Sequence, residues 1–205
     1  MRGFIINIRK VKNEDLIVTV LSSESVKNYW RFFGTRHSII QIGNLIEFEV
    51  TQNKNGFMPN MRSISQHSFS WLFSEKHLFI WKNFIQLFEV HLNESPTIEA
   101  YYFNLLFQIA QKWDKQNPKR LAIEAYIQLL HKEKRIYYAN SCYICQGTLE
   151  NQVGLMRAFI PTHPSCVSNS IIDREMLFKL LHTKSTIHLT DLSVKRLYPI
   201  LLKGL

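Results

Sequence analysis

The residues of this chain best suited to chemistry are Cys142, Cys145, His163 and Cys166. Cys142-x2-Cys145 and His163-x2-Cys166 form two pairs, and a two-residue gap lets both side chains of a tight turn point at one metal ion. The loop 146–162 then returns the second pair to complete a tetrahedron. Thiolate and imidazole donors in that geometry favour Zn²⁺. Four protein ligands leave no coordination position for water or substrate, so the spacing predicts a structural zinc module at about 140–168. The competing reading treats the cysteines as small buried hydrophobes and His163 as a loop residue.

A catalytic alternative uses His131 and Glu133 with the Cys142/Cys145 pair, in the manner of a zinc deaminase. The pattern departs from that signature at Ser141, where the signature has Pro, and it leaves His163 and Cys166 without a role. Neither a Gly-rich phosphate loop nor a G-x-S-x-G, an H-E-x-x-H or a carboxylate dyad is present, so the expectation is a protein that is not an enzyme.

A second group of residues suits binding. If Val26 to Gly34 is a strand, Lys27, Tyr29, Arg31 and Phe33 share one face, while Trp30 and Phe32 on the other are expected in the core. Interleaved cations and rings serve single-stranded nucleic acid, since rings stack on bases and cations neutralise phosphates. Arg36 and His37 extend the basic strip. Lys119 and Arg120 lie near a helix N-terminus, where positive charge is mildly unfavourable, which favours a phosphate role for them. Lys132, Lys134 and Arg135, at the other end of that helix, are accounted for by its dipole.

Distinct elements must hold these groups. Arg2 to Arg9, Leu16 to Leu21, Leu45 to Val50 and Met58 to Ser65 read as strands, the third alternating with Ile46, Phe48 and Val50 on one face. Asn53-Lys54-Asn55-Gly56 supplies a hairpin turn. Five short strands in so few residues suggest a small OB-fold barrel over 1–66. Residues 67–205 read as a mainly α-helical domain. Ser95-Pro96 and Asn117-Pro118 open two helices, each with a capping side chain and a proline where its missing N–H costs nothing. The third helix runs to about Tyr137, and two shorter ones follow at Asp173 to Leu181 and Asp191 to Leu202, the last disturbed by Pro199. Trp71, Phe79, Trp81, Tyr101, Tyr102, Phe103 and Phe107 read as core. The fold class expected is therefore α+β: a five-stranded barrel followed by helices with an embedded zinc knuckle.

The formal net charge of +9 and a pI near 9.5 point to an anionic partner. The charge lies in three blocks, 1–65, 111–136 and 167–205, around a slightly acidic 66–110. No secretory signal or membrane span is readable, and three clustered cysteines suit a reducing compartment, so a cytoplasmic, nucleoid-associated location is expected.

Gly3-Phe4-Ile5-Ile6 opening the first strand, Glu14-Asp15-Leu16-Ile17-Val18-Thr19-Val20 at the second, Phe33-Gly34 ending the third and the late Cys142/Cys145 pair follow one another in a specific order. With a barrel, a helical middle and a cysteine knuckle, this order resembles the RecO family of bacterial recombination mediators. The resemblance implies binding of single- and double-stranded DNA, annealing of complementary strands, and work with RecR to load RecA onto DNA covered by single-strand-binding protein. It implies that Lys27, Tyr29, Arg31, Phe33 and Arg36 form the barrel's share of the DNA path, with Lys119 and Arg120 the helical domain's. Zinc-bearing members usually carry Cys-x2-Cys as the second pair; this chain has His163 in the third ligand position. The alternative from another class is a zinc-containing protein-interaction adaptor with little direct DNA binding.

Overall fold

The computed structural model describes residues 1–52, 58–92, 98–167 and 171–205. The Asn53–Gly56 turn and the Ser95-Pro96 helix start lie outside these residues. The chain forms two compact units, Met1–Lys115 and Gln116–Leu205.

In the first unit, five strands, β1 (Arg2–Lys10), β2 (Leu16–Leu21), β3 (Val26–Arg31), β4 (Leu45–Thr51) and β5 (Asn60–His67), close into a barrel in the order β1-β2-β3-β5-β4. Neighbours are antiparallel except β3 and β5, which meet in parallel at Trp30 and Asn60. That single parallel contact closes the barrel and leaves no long edge exposed. Alternating inward residues, among them Ile5, Val18, Val20, Ile46, Phe48 and Met61, fill the interior. The expected strands and the alternation of Ile46 and Phe48 are met.

Tyr29, Trp30 and Phe32 lie the other way round from the expectation, whereas Lys27 and Phe33 stay exposed. Tyr29 pairs with Val18 across the ladder, and cross-strand partners point to the same side of a sheet. Val18 is wholly buried, so Tyr29 is drawn inside with it, 3% exposed and edge-on to Phe48 at 5.0 Å. Trp30 and Phe32 therefore face out, Phe32 with 47% of its surface exposed.

Helices α1 (Glu75–Leu92) and α2 (Ala100–Ala110) belong to the same unit as the barrel. The outer face of β1 is apolar at Phe4, whose ring meets Trp81 at 5.8 Å and Phe103 at 5.6 Å. Trp71, Trp81 and Trp113 cluster beside it, and each indole N–H donates to a carbonyl, of Ala110, Gly43 and His77 respectively. Gly43 must be glycine, because it sits at φ +93° and a Cβ there would stand 2.6 Å from the Trp81 ring. Strand gives way to helix just past His67, but this packing carries the compact unit on to Lys115. Trp71, Trp81 and Phe103 are core as expected; Phe79 is 66% exposed, because α1 turns Ile80, Trp81, Phe84, Ile85 and Phe88 inward and leaves it outside that stripe.

The second unit is built on α3 (Pro118–Lys132), α4 (Arg174–Thr183) and α5 (Asp191–Leu201). Asn117 caps α3 by accepting from the Lys119 N–H, with Pro118 at the first position as expected. Asp173 and Thr190 cap the other two in the same way. Helix α3 ends at Lys132, short of Tyr137, where Lys134 turns to φ +57° and the Arg135 N–H closes onto the Leu130 carbonyl. Between α3 and α4 lies a small antiparallel sheet that the sequence pattern did not reveal: β6 (Gln152–Leu155), flanked by β7 (Pro161–Thr162) and β8 (Ile172–Asp173).

Candidate metal centre and nucleic-acid interface

The loop before β6 carries the first cysteine pair. An isolated bridge between Ser141 and Thr148 starts a tight turn in which the Cys142 N–H donates to the Gly147 carbonyl at 2.7 Å. The Gln146 N–H returns to the Cys142 carbonyl at 2.9 Å, with Gln146 in the left-handed region at φ +61°. The second pair leaves the end of β7, where the Cys166 N–H donates to the His163 carbonyl at 3.0 Å. Pairing of β6 with β7 brings the two turns face to face. Gly147 belongs at the meeting point, since a Cβ there would stand 3.2 Å from His163 Cε1.

The ligand atoms of Cys142, Cys145, His163 and Cys166 all lie within 4.8 Å of one another. A tetrahedron of sulfur ligands with bonds of about 2.3 Å has edges of about 3.7 Å, so a small contraction brings all four onto one ion. His163 Nδ1 stands 3.2 Å from Cys145 Sγ and 4.0 Å from Cys166 Sγ. Its other nitrogen, Nε2, lies 2.8 Å from the Thr148 carbonyl oxygen. The carbonyl can only accept, so the proton sits on Nε2 and the Nδ1 lone pair faces the sulfurs, as a metal-binding imidazole requires.

The electrostatics suit a cation. Burial opposes a thiolate at Cys142, but N–H groups of Cys145, His163 and Ile144 outweigh it and bring the thiol down to about 6. The hydrogen bond to Thr148 and the neighbouring Cys145 sulfur push His163 upward. Burial and the nearby Cys142 and Cys145 sulfurs push Cys166 up. A divalent ion at the centre would relieve that sulfur crowding by replacing protons on all three thiols. The four donors thus form a group that can hold a metal ion, and they are the residues the spacing singled out. His131 and Glu133 stand outside this group: His131 Nε2 is 2.6 Å from the Leu181 carbonyl oxygen, and Glu133 accepts from Arg135.

The barrel's cation and aromatic residues are arranged differently from the expectation. Tyr29 is sealed in the interior, where burial pushes its phenol up, so it offers no ring to a base. Lys27 remains exposed. Arg31 is half-buried at the rim, donating to the Met61 carbonyl at 3.0 Å and, from its other terminal nitrogen, to His37 Nε2 at 3.0 Å. Phe33 is 52% exposed and sits in the left-handed region at φ +48°. Arg36 lies over its ring at 5.1 Å and pairs with Glu14 at 2.5 Å.

Asp15 organises this rim. Only 8% exposed, it accepts the Trp30 indole N–H at 3.0 Å on one oxygen and the Phe33 backbone N–H at 2.8 Å on the other. One carboxylate thereby ties the end of β3 to the turn that follows, and holds Phe33 in a conformation that non-glycine residues rarely adopt. The outward surface it supports is Trp30, Phe32 and Phe33 beside Arg31 and Arg36. A strand with aromatics on both faces is the signal for such a surface, but alternation alone does not say which face is inside.

The two cations at the start of α3 are engaged within their own unit. Arg120 donates to the Thr186 and Leu189 carbonyls at 2.6 and 2.9 Å and pairs with Asp191 at 2.8 Å, so its fork braces the 186–191 segment. The structural reason for a cation near this helix start is therefore the carbonyls facing it. Lys119 is half-buried, its ammonium 5.0 Å over the Tyr198 ring.

Among the described residues no helix is long and apolar enough to cross a membrane. Comparison with curated proteins found no match. Residues 1–72 match the family model described as RecO N terminal. The matched segment is the closed barrel with the Trp71 anchor behind it, so over this barrel the chain is similar to the N-terminal domain of the RecO family.

Proposed function

We propose that this chain is a non-enzymatic DNA-binding protein that binds and anneals strands and, with RecR, helps load RecA onto single strands coated by single-strand-binding protein. Residues 1–66 act as the nucleic-acid-binding domain, and residues 67–205 carry the zinc module. The observation behind the reading is the barrel rim, where Phe32 and Phe33 stand exposed beside Arg31 and Arg36. Rings that stack and cations that neutralise phosphate make a surface tolerant of sequence. Lys27 adds charge, and Lys119 adds a lesser contact; Tyr29 and Arg120 act by packing and bracing. Zn²⁺ at Cys142, Cys145, His163 and Cys166 serves as a structural brace, and the protein works in the cytoplasm at the nucleoid.

The experiment is oligonucleotide binding followed by fluorescence anisotropy across a salt series. Affinity should fall steeply as salt rises, with a log–log slope of about 0.7 per neutralised phosphate of a single strand. Undetectable binding at low salt would remove this reading. The adaptor would then lead, and it has its own support in Tyr143 and Ile144, about half exposed between the two knuckle cysteines.

A further inference from the structure

Beside the rim, the first unit contains a pocket of about 410 Å³, within the range of about 300–1,000 Å³ typical of small-molecule sites. Its apolar floor is made by Ile8, Leu16 and Ile40, with Leu16 and Ile40 also belonging to the barrel core. Gly34 lines it too, pressed so closely on Leu16 that a Cβ would stand 2.8 Å from that side chain. Lys10 from β1 and Lys82 from α1 line it, with Gln41 and Gln86, and among the described residues no carboxylate does. The side chains of these two lysines and two glutamines have no hydrogen-bond or ion-pair partner among the described residues.

Two features connect the pocket to the rim. Gly34 and Thr35, which line it, follow directly on the exposed Phe33. His37, also lining it, accepts at Nε2 from Arg31, because a guanidinium can only donate. A strand stacked on Phe33 and neutralised by Arg31 therefore passes the mouth of a cavity that is apolar within and cationic at its edge.

We propose that this pocket is a nucleotide subsite, taking one base turned out of a single strand bound on the Phe32/Phe33 rim, with Lys10 and Lys82 contacting phosphates of the same strand. The inference rests on the reading of the barrel as a single-strand binder. The apolar floor removes a base face from water, and the free amides of Gln41 and Gln86 can pair with the edge of any base, because a terminal amide offers both donor and acceptor. The absence of carboxylates on the lining lets the phosphates approach.

The test measures binding of a fluorescein-labelled (dT)12 strand to the full chain over a salt series. Lys10→Ala/Lys82→Ala should lower the log–log salt slope by about 1.4, two single-strand phosphates' worth. Gln86→Trp, at an exposed position of α1 on the lining, is sized to fill the pocket without changing charge. It should weaken binding about 5- to 10-fold at unchanged slope, as expected for one lost base contact. Thermal unfolding midpoints matching the unaltered chain would confirm that both variants are folded. If Gln86→Trp binds as tightly as the unaltered chain while Phe32→Ala still weakens binding, the subsite is overturned and the rim stands. If the unaltered chain fails to bind the strand at low salt, both fall.

Discussion

The two faces of β3 can be separated by exchanging one ring on each. Phe32→Leu removes an exposed ring that makes little of the fold, since nearly half of its surface is already in water. Loss of one base-stacking platform costs about 1–3 kcal/mol, which is about a 5- to 150-fold rise in Kd. Tyr29→Leu removes a ring that is 3% exposed and packed edge-on against Phe48. Its cost falls on stability, about 1–3 kcal/mol from lost contacts and the cavity left behind, with affinity of the folded protein little altered. Urea unfolding followed by tryptophan fluorescence reads the first quantity, and anisotropy with a single-stranded oligonucleotide below the unfolding range reads the second. A Tyr29→Leu protein of ordinary stability that binds DNA poorly would refute the assignment of faces. So would a Phe32→Leu protein that binds normally while losing stability.

Three further outcomes follow from the second unit. His163→Ala should abolish near-stoichiometric zinc, measured by metal analysis of dialysed protein, because it removes the only nitrogen donor and the anchor to Thr148. Chelation of the unaltered chain should lower this unit's melting midpoint by on the order of 10–20 °C, as for a ligand present at about a hundred times its Kd. Full zinc content in the variant would show that the fourth ligand lies elsewhere. Arg120→Ala should destabilise by about 2–4 kcal/mol through its bonds to the Thr186 and Leu189 carbonyls. Asp191, 81% exposed, adds little to that sum. DNA affinity should change little, and a loss of affinity with unaltered urea midpoint would return Arg120 to the DNA path.

The grouping of Cys142, Cys145, His163 and Cys166 was legible in the sequence because each pair is a local turn, and three cysteines with one histidine at that spacing suit a metal ion. The strands of the barrel were legible for a similar reason: Ile46 and Phe48 alternate with Glu47 and Glu49, and one face of that pattern must be buried. Asn117-Pro118 marked the start of α3 through chemistry confined to three residues. In β3 both faces carry rings and polar groups, so alternation allowed either side to be inside. Only pairing with β2 decided it, by setting Tyr29 opposite the buried Val18.

The same holds for the charges and the smaller elements. Asp15 and Arg120 look like surface residues in the sequence, and become braces only because distant segments bring Phe33, Thr186 and Leu189 to them. The strands β6, β7 and β8 are too short to show a period, and emerge only where their pairing joins the loop between the two cysteine turns. What the chain determines locally is the spacing of its ligands, its caps and the alternation of its clearest strands. Which side of β3 meets solvent, and which cations remain available to a partner, are settled by contacts between residues far apart in sequence, where register and packing outweigh local preference.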